Sequence, residues 1–213
     1  MPKAIVFDLD GTLANSSTCI IETMHEVARQ MNLRPVSDDA VRDMIGQHLN
    51  VMFPTLYNIH GEDMEEAIRL YSIEYVRLTA TLERLFDGAL ELIQHLSQTD
   101  LLLAIATGKS QSGAESACQR LGLTPYLNSI HGIIPGTPGK PDPAVLIRAM
   151  EALGVSAAEC VMVGDTTFDM QLSQAVGVEA IGVDWGVHSR DKLEACGVQV
   201  MGSMEDLEME LRK

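Results

Sequence analysis

Aromatic side chains are scarce, with four Phe, four Tyr and one Trp making up 4% of 213 residues. A core must therefore be packed from aliphatics, alanine and the 12 methionines, as is ordinary for an α/β protein. Cations are scarce too: 15 Lys and Arg stand against 30 Asp and Glu, a net charge of −15. That balance excludes a phosphate-backbone binder, which needs clustered Lys and Arg, and an anionic membrane surface as a partner. Cys19, Cys118, Cys160 and Cys196 are scattered, with no C-x-x-C pair, which points to a reducing cytosol. No apolar run approaches the roughly 20 residues of a membrane span. Met1-Pro2-Lys3 runs straight into an expected first strand, which reads as a cytoplasmic chain without a secretory leader. No internal repeat or low-complexity segment is visible.

What is present is organised around Ile5-Val6-Phe7-Asp8-Leu9-Asp10-Gly11-Thr12. An apolar run that reads as a buried strand ends in two carboxylates and breaks on glycine. If the strand continued through them, Asp8 and Asp10 would leave on one face and address one small cationic or protic target. The stretch alone equally fits a strand followed by an Asp-Gly turn with solvated acids.

Helical spacing follows. One stripe runs from Cys19 to Met31, a second helix is capped by Ser37-Asp38-Asp39, an apolar segment spans 51–56 after the break at Gly46-Gln47-His48, and a long stripe runs from Met64 to Leu78. Residues 15–85 read as helical throughout. Parallel strands normally return through one crossover helix, so an excursion of this length reads as an inserted helical cap. From residue 86 onward strands alternate with helices. Strands are expected at 101–106, 129–133, 160–163 and 179–183, with an edge strand at 197–201; the remaining helices fall at 89–96, 110–121, 144–153, 168–175, 189–195 and 204–211. The expected fold is α/β, a doubly wound parallel Rossmann-like sheet, with a core of residues 1–14 and 86–213 and a cap of residues 15–85.

In a parallel sheet the strand ends lie on one edge. Asp8 and Asp10, Thr107-Gly108, Lys140 in a Gly/Pro-rich loop, and Asp165 with Asp169 would then converge. Carboxylates for Mg²⁺, a hydroxyl and backbone N–H groups for phosphate oxygens, and a lysine for residual charge form the set phosphoryl transfer requires. Two phosphate-loop matches fail. Gly108-Lys109-Ser110 has Leu103 where a glycine is needed, and Gly139-Lys140 is followed by Pro141 where Ser or Thr should ligate metal. An EF-hand starting at Asp8 fails for want of its terminal Glu.

Asp8-Leu9-Asp10-Gly11-Thr12, Thr107-Gly108, Gly139-Lys140-Pro141-Asp142-Pro143 and Gly164-Asp165-Thr166-Thr167-Phe168-Asp169 resemble, in order, the four motifs of the haloacid dehalogenase superfamily. The tail Gly182-Val183-Asp184-Trp185-Gly186-Val187-His188-Ser189 is similar to its phosphoglycolate phosphatase-like subgroup. The resemblance implies a Mg²⁺-dependent phosphatase of a small phosphorylated metabolite, monomeric or homodimeric. Asp8 would be the nucleophile and Asp10 the general acid and base. Thr107, Gly108 and Lys140 would bind phosphate. Asp8, Asp10 through its carbonyl, and Asp165 would hold Mg²⁺, with Asp169 a ligand or an orienting acid. Gln47 and His48, in the cap turn, would touch substrate. A sugar phosphomutase, or a binding protein that has lost turnover, is the alternative function. Asn15, Asp87-Gly88 and Gly132-Ile133-Ile134-Pro135-Gly136 depart from the family pattern without removing a catalytic group. Lys109 reads as a residue near the phosphate or, more simply, as a solvated lysine at a helix start, Arg77 and Arg84 as outlying contacts for an anionic substrate, and Trp185 as packing beside the site.

Overall fold

The computed structural model describes residues 2–213. In chain order the elements are β1 (Ala4–Phe7), β2 (Ala14–Asn15), α1 (Ser17–Gln30), α2 (Asp38–Arg42), α3 (Leu49–Tyr57), α4 (Gly61–Leu82), β3 (Arg84–Leu85) and α5 (Ala89–Ser97). They continue with β4 (Leu102–Ser110), α6 (Gln111–Arg120), β5 (Ser129–Ile133), α7 (Ala144–Leu153), β6 (Cys160–Gly164), α8 (Thr167–Val176), β7 (Glu179–Val183), α9 (Arg190–Glu194), β8 (Gln199–Met201) and α10 (Met204–Leu211).

Six strands form one parallel sheet in the order β5-β4-β1-β6-β7-β8. The central strand β1 pairs Phe7 with Ile105 of β4 and with Val163 of β6. Being central, it must be apolar on both faces, and all four of its residues are buried. The pleat sends Ile5 and Phe7 into a cluster with Leu92, Ile93 and Leu96 of α5. Ala4 and Val6 go to the opposite face, against Val145, Leu146 and Ala149 of α7 and Leu172 of α8. Helices therefore cover both faces, and the expected doubly wound sheet is the fold observed.

Helices α1 to α4 stand outside the sheet and pack on one another through a third apolar cluster, with Met24, Val27, Val41, Phe53 and Tyr71 among its members. The expectation of helix throughout this excursion needs one correction. At its base β2 and β3 form an antiparallel two-stranded ribbon, pairing Ala14 with Leu85 and Asn15 with Arg84. The ribbon was invisible in the sequence because two residues carry no alternation. It ties the point where the chain leaves the sheet to the point where it returns, and the Phe86 N–H donates to the Leu13 carbonyl at 2.9 Å.

Candidate active site

The first motif does not continue β1. The strand stops at Phe7, the Asp8 N–H still donates to the Val163 carbonyl, and the chain then turns on Gly11 at φ +87°. Asp8 and Asp10 consequently diverge instead of sharing a face. The sequence expectation of one common target for both side chains is corrected on this point: the turn, not a strand pleat, aims them. A side chain at Gly11 is excluded on two grounds, since its φ is left-handed and its Cβ would stand 2.1 Å from Asp165 Oδ2.

Asp8 joins Asp165 and Asp169. Among the described residues these three carboxylates can each offer an oxygen within 4.8 Å of the others', and all are fully buried. Lys140, from the loop before α7, reaches the same point, with Nζ 2.8 Å from Asp8 Oδ1 and 2.6 Å from Asp169 Oδ1. Its side chain is fully buried, which a lysine tolerates only when paired. Asp169 is held by its own helix start: Thr166 donates to Oδ2 from its hydroxyl at 2.6 Å and from its N–H at 3.1 Å, closing a capping box on α8. Asp165 accepts from the Thr12 hydroxyl on Oδ1 and from the Val187 N–H on Oδ2, both at 2.8 Å.

Asp8 is different. Neither of its oxygens accepts a hydrogen bond, although Lys140 stands beside Oδ1 as an ion pair. Burial pushes the Asp8 carboxyl up to about 7, opposed by Lys140 and reinforced by Asp169 and Asp10. Asp165 is also driven well above the carboxylate range, first by burial and then by Asp8 and Asp169. Burial works against the Lys140 ammonium, but Asp169 and Asp8 outweigh it and hold the amine above its usual value. If all three acids ionise, one ammonium leaves two negative charges uncompensated in a dry site. An all-oxygen, doubly negative cluster with an orphaned acceptor fits a hard divalent cation such as Mg²⁺.

Asp10 turns to the other side. Oδ1 accepts from the Ser16 hydroxyl at 2.6 Å, and Oδ2 lies 3.0 Å from Lys109 Nζ. Its carboxylate is thus outside the acidic trio and faces a cavity of about 280 Å³ between the helices and the end of β4. Gly46, Gln47 and His48 line that cavity. His48 caps α3 by accepting from the Asn50 N–H, and its partial burial lowers its pKa. Thr107 is buried near the end of β4, with Gly108 following it in the same strand. Trp185 packs beside the site and donates its indole N–H to the Thr12 carbonyl.

Lys109 has partners that neither sequence reading of it named. Instead of being solvated, it bridges Asp10 to Tyr75 of α4, with 13% of its side chain exposed. Ser16 stands at the start of α1, but its hydroxyl makes no cap bond and holds Asp10. Lys109 meets Asp10 and Tyr75 through tertiary placement, whereas the Ser16–Asp10 bond is local and follows from the turn at Gly11. Arg77 pairs with Glu74 and lines a separate surface depression, and Arg84 is exposed on β3.

The family model of the haloacid dehalogenase-like hydrolases matches residues 5–183. Over 216 aligned residues the chain is 32% identical to N-acetylmuramic acid 6-phosphate phosphatase of Pseudomonas putida, covering 99% of this chain and 95% of the relative. It is 28% identical over 206 residues to phosphoglycolate phosphatase of Rhodospirillum rubrum, covering 92% and 85%. A solved structure of a hydrolase from Pseudomonas syringae matches with a TM-score of 0.89 at 26% identity, covering 99% of this chain and 98% of that one.

Proposed function

The chain belongs to the haloacid dehalogenase-like hydrolases, and from that membership we propose that it is a Mg²⁺-dependent phosphomonoesterase acting through a phosphorylated Asp8, with phosphoglycolate the first substrate to assay. The observation that carries this reading is the Asp8 carboxylate: fully buried, with the Lys140 ammonium 2.8 Å from Oδ1 and no donor on Oδ2. A carboxylate kept this poorly solvated is a stronger nucleophile than one hydrated by water. The names of the relatives, phosphatases of phosphoglycolate and of N-acetylmuramic acid 6-phosphate, support the class of reaction.

In this reading Asp8, Asp165 and the Asp10 carbonyl would hold Mg²⁺, which supplies charge neutralisation for the phosphoryl oxygens and for the acids themselves. Asp8 attacks phosphorus, and the bond to the alcohol oxygen breaks as Asp10 gives that oxygen its proton. Water then attacks the aspartyl phosphate and gives a proton back to Asp10, releasing orthophosphate and restoring the Asp8 carboxylate. Thr107 and the Gly108 backbone bind phosphoryl oxygens, and Lys140 neutralises charge on nucleophile and phosphate together. Asp169, whose oxygens are taken by Lys140 and Thr166, orients the lysine. Helices α1 to α4 serve as the cap over residues 1–14 and 86–213. With Asp8 at 0% exposure, a phosphate ester reaches it only when that helical layer moves. The reading places the protein in the cytoplasm, in keeping with its four free cysteines. Asp8→Asn is expected to reduce phosphate release more than about 1000-fold while the protein stays folded; turnover within about tenfold of the wild type would remove Asp8 from the role of nucleophile.

A further inference from the structure

Lys109 has more partners than a lysine at a strand end needs. Nζ lies 3.0 Å from Asp10 Oδ2, donates to the Tyr75 hydroxyl at 2.9 Å, and stands 4.4 Å from the centre of the Tyr75 ring. Tyr75 donates its own hydroxyl to Glu83 Oε1 at 2.5 Å, and Arg120 of α6 holds the other Glu83 oxygen. One polar chain therefore runs from Asp10 to Lys109 at the end of β4, across to Tyr75 on α4, down to Glu83 beside the ribbon, and back to α6. Asp10 is anchored at both oxygens, by Ser16 on one and Lys109 on the other. None of this follows from the four motifs, which leave Lys109 without a role.

We propose that Lys109 is a positioning residue for Asp10. It fixes the orientation of the carboxyl that exchanges a proton with the leaving oxygen, and through Tyr75 it makes that orientation depend on α4 standing over the site. The acid is then aimed only when the cap covers the substrate, which keeps proton transfer in step with the exclusion of water. The proposal rests on the phosphatase reading above. It differs from a phosphate-binding role for Lys109 in one measurable respect. When the phosphorus–oxygen bond breaks, an alkoxide needs the proton from Asp10, whereas nitrophenolate, a weak base, departs without it.

The test compares wild type, Lys109→Met, Lys109→Arg and Tyr75→Phe on p-nitrophenyl phosphate and on the best-hydrolysed member of an alkyl phosphomonoester panel, in Mg²⁺. Lys109→Met is expected to lower kcat/KM, which ends at departure of the leaving group and leaves out the later hydrolysis in which Asp10 is the base, by roughly 10- to 100-fold on the alkyl ester and by less than about threefold on p-nitrophenyl phosphate. Lys109→Arg recovers part of the loss. Tyr75→Phe, which keeps the ring and removes the hydroxyl, gives a smaller loss in the same sense and carries the test if Lys109→Met fails to fold. Equal losses on both esters, or no loss on either, overturn the positioning role. A wild type that hydrolyses neither ester overturns instead the phosphatase reading beneath it.

Discussion

At Asp8 two consequences of burial oppose each other. Dehydration makes the carboxylate a better nucleophile, yet it also raises the carboxyl to about 7, so that without a cation the group is protonated over much of the acid range. Linkage gives this a sign. An unfolded Asp releases its proton near ~3.9, whereas native Asp8 keeps it until about 7; between those values the native state binds more protons, and stability falls as the pH rises. The metal-free protein is therefore expected to lose thermal stability from pH 5 to pH 8. Mg²⁺ replaces the protons and should raise the melting temperature more at pH 8 than at pH 5. A Mg²⁺ shift that is larger at pH 5, measured by differential scanning fluorimetry, would contradict the proposal that Asp8 and Asp165 hold a cation. At this scale the sequence was informative about which residues the sheet edge brings together and silent about how they divide. Asp8, Thr107, Lys140, Asp165 and Asp169 were readable because strand ends of a parallel sheet share an edge. The separation of Asp10 from the trio, and its capture by Lys109 and Ser16, depend on the turn at Gly11, which brings nearby Ser16 to Asp10, and on a lysine brought in from the end of β4.

Between elements, the helical layer meets the sheet edge at Gly108. A Cβ there would stand 2.2 Å from the Gly46 carbonyl oxygen, so the turn carrying Gln47 and His48 rests directly on the backbone at the end of β4. Gly108→Ala must push that turn away. Displacing a binding segment by about 1 Å can cost up to 100-fold in rate, and kcat/KM on a phosphomonoester is expected to fall at least about tenfold while the melting temperature moves only a few degrees. An unchanged kcat/KM would mean that the turn at 46–48 does not take part in the reaction. The sheet itself responds differently. Leu96→Ala on α5, at a fully buried position in the apolar cluster, should cost roughly 2–5 kcal/mol in denaturant unfolding. The regular elements were legible because apolar period and glycine breaks agree, as at β5, α7 and β7, whose limits coincide with expectation. The β2–β3 ribbon and the extension of β4 to Ser110 were not, since both arise from pairing with distant segments.

Across the whole molecule, three apolar clusters divide the work. Two clamp the sheet and hold the motif-bearing ends of β1, β4 and β6 on one edge, and the third stabilises four helices as a separate layer over Asp10. The order β5-β4-β1-β6-β7-β8 puts β1 between β4 and β6, so that Asp8 stands between Thr107 and Asp165, and the loop before α7 brings Lys140 to the same point. Among the described residues no helix is long and apolar enough to cross a membrane. Under the proposed function the sheet edge would carry the phosphoryl chemistry and the cavity beneath the helices the choice of alcohol, and only the first of these has motifs in the sequence. The most direct test of the central claim is release of inorganic phosphate from a panel of phosphomonoesters headed by phosphoglycolate, measured with Mg²⁺ and again after EDTA. Mg²⁺-dependent release that EDTA abolishes and added Mg²⁺ restores is expected; no release from any ester, or release indifferent to EDTA, would contradict it.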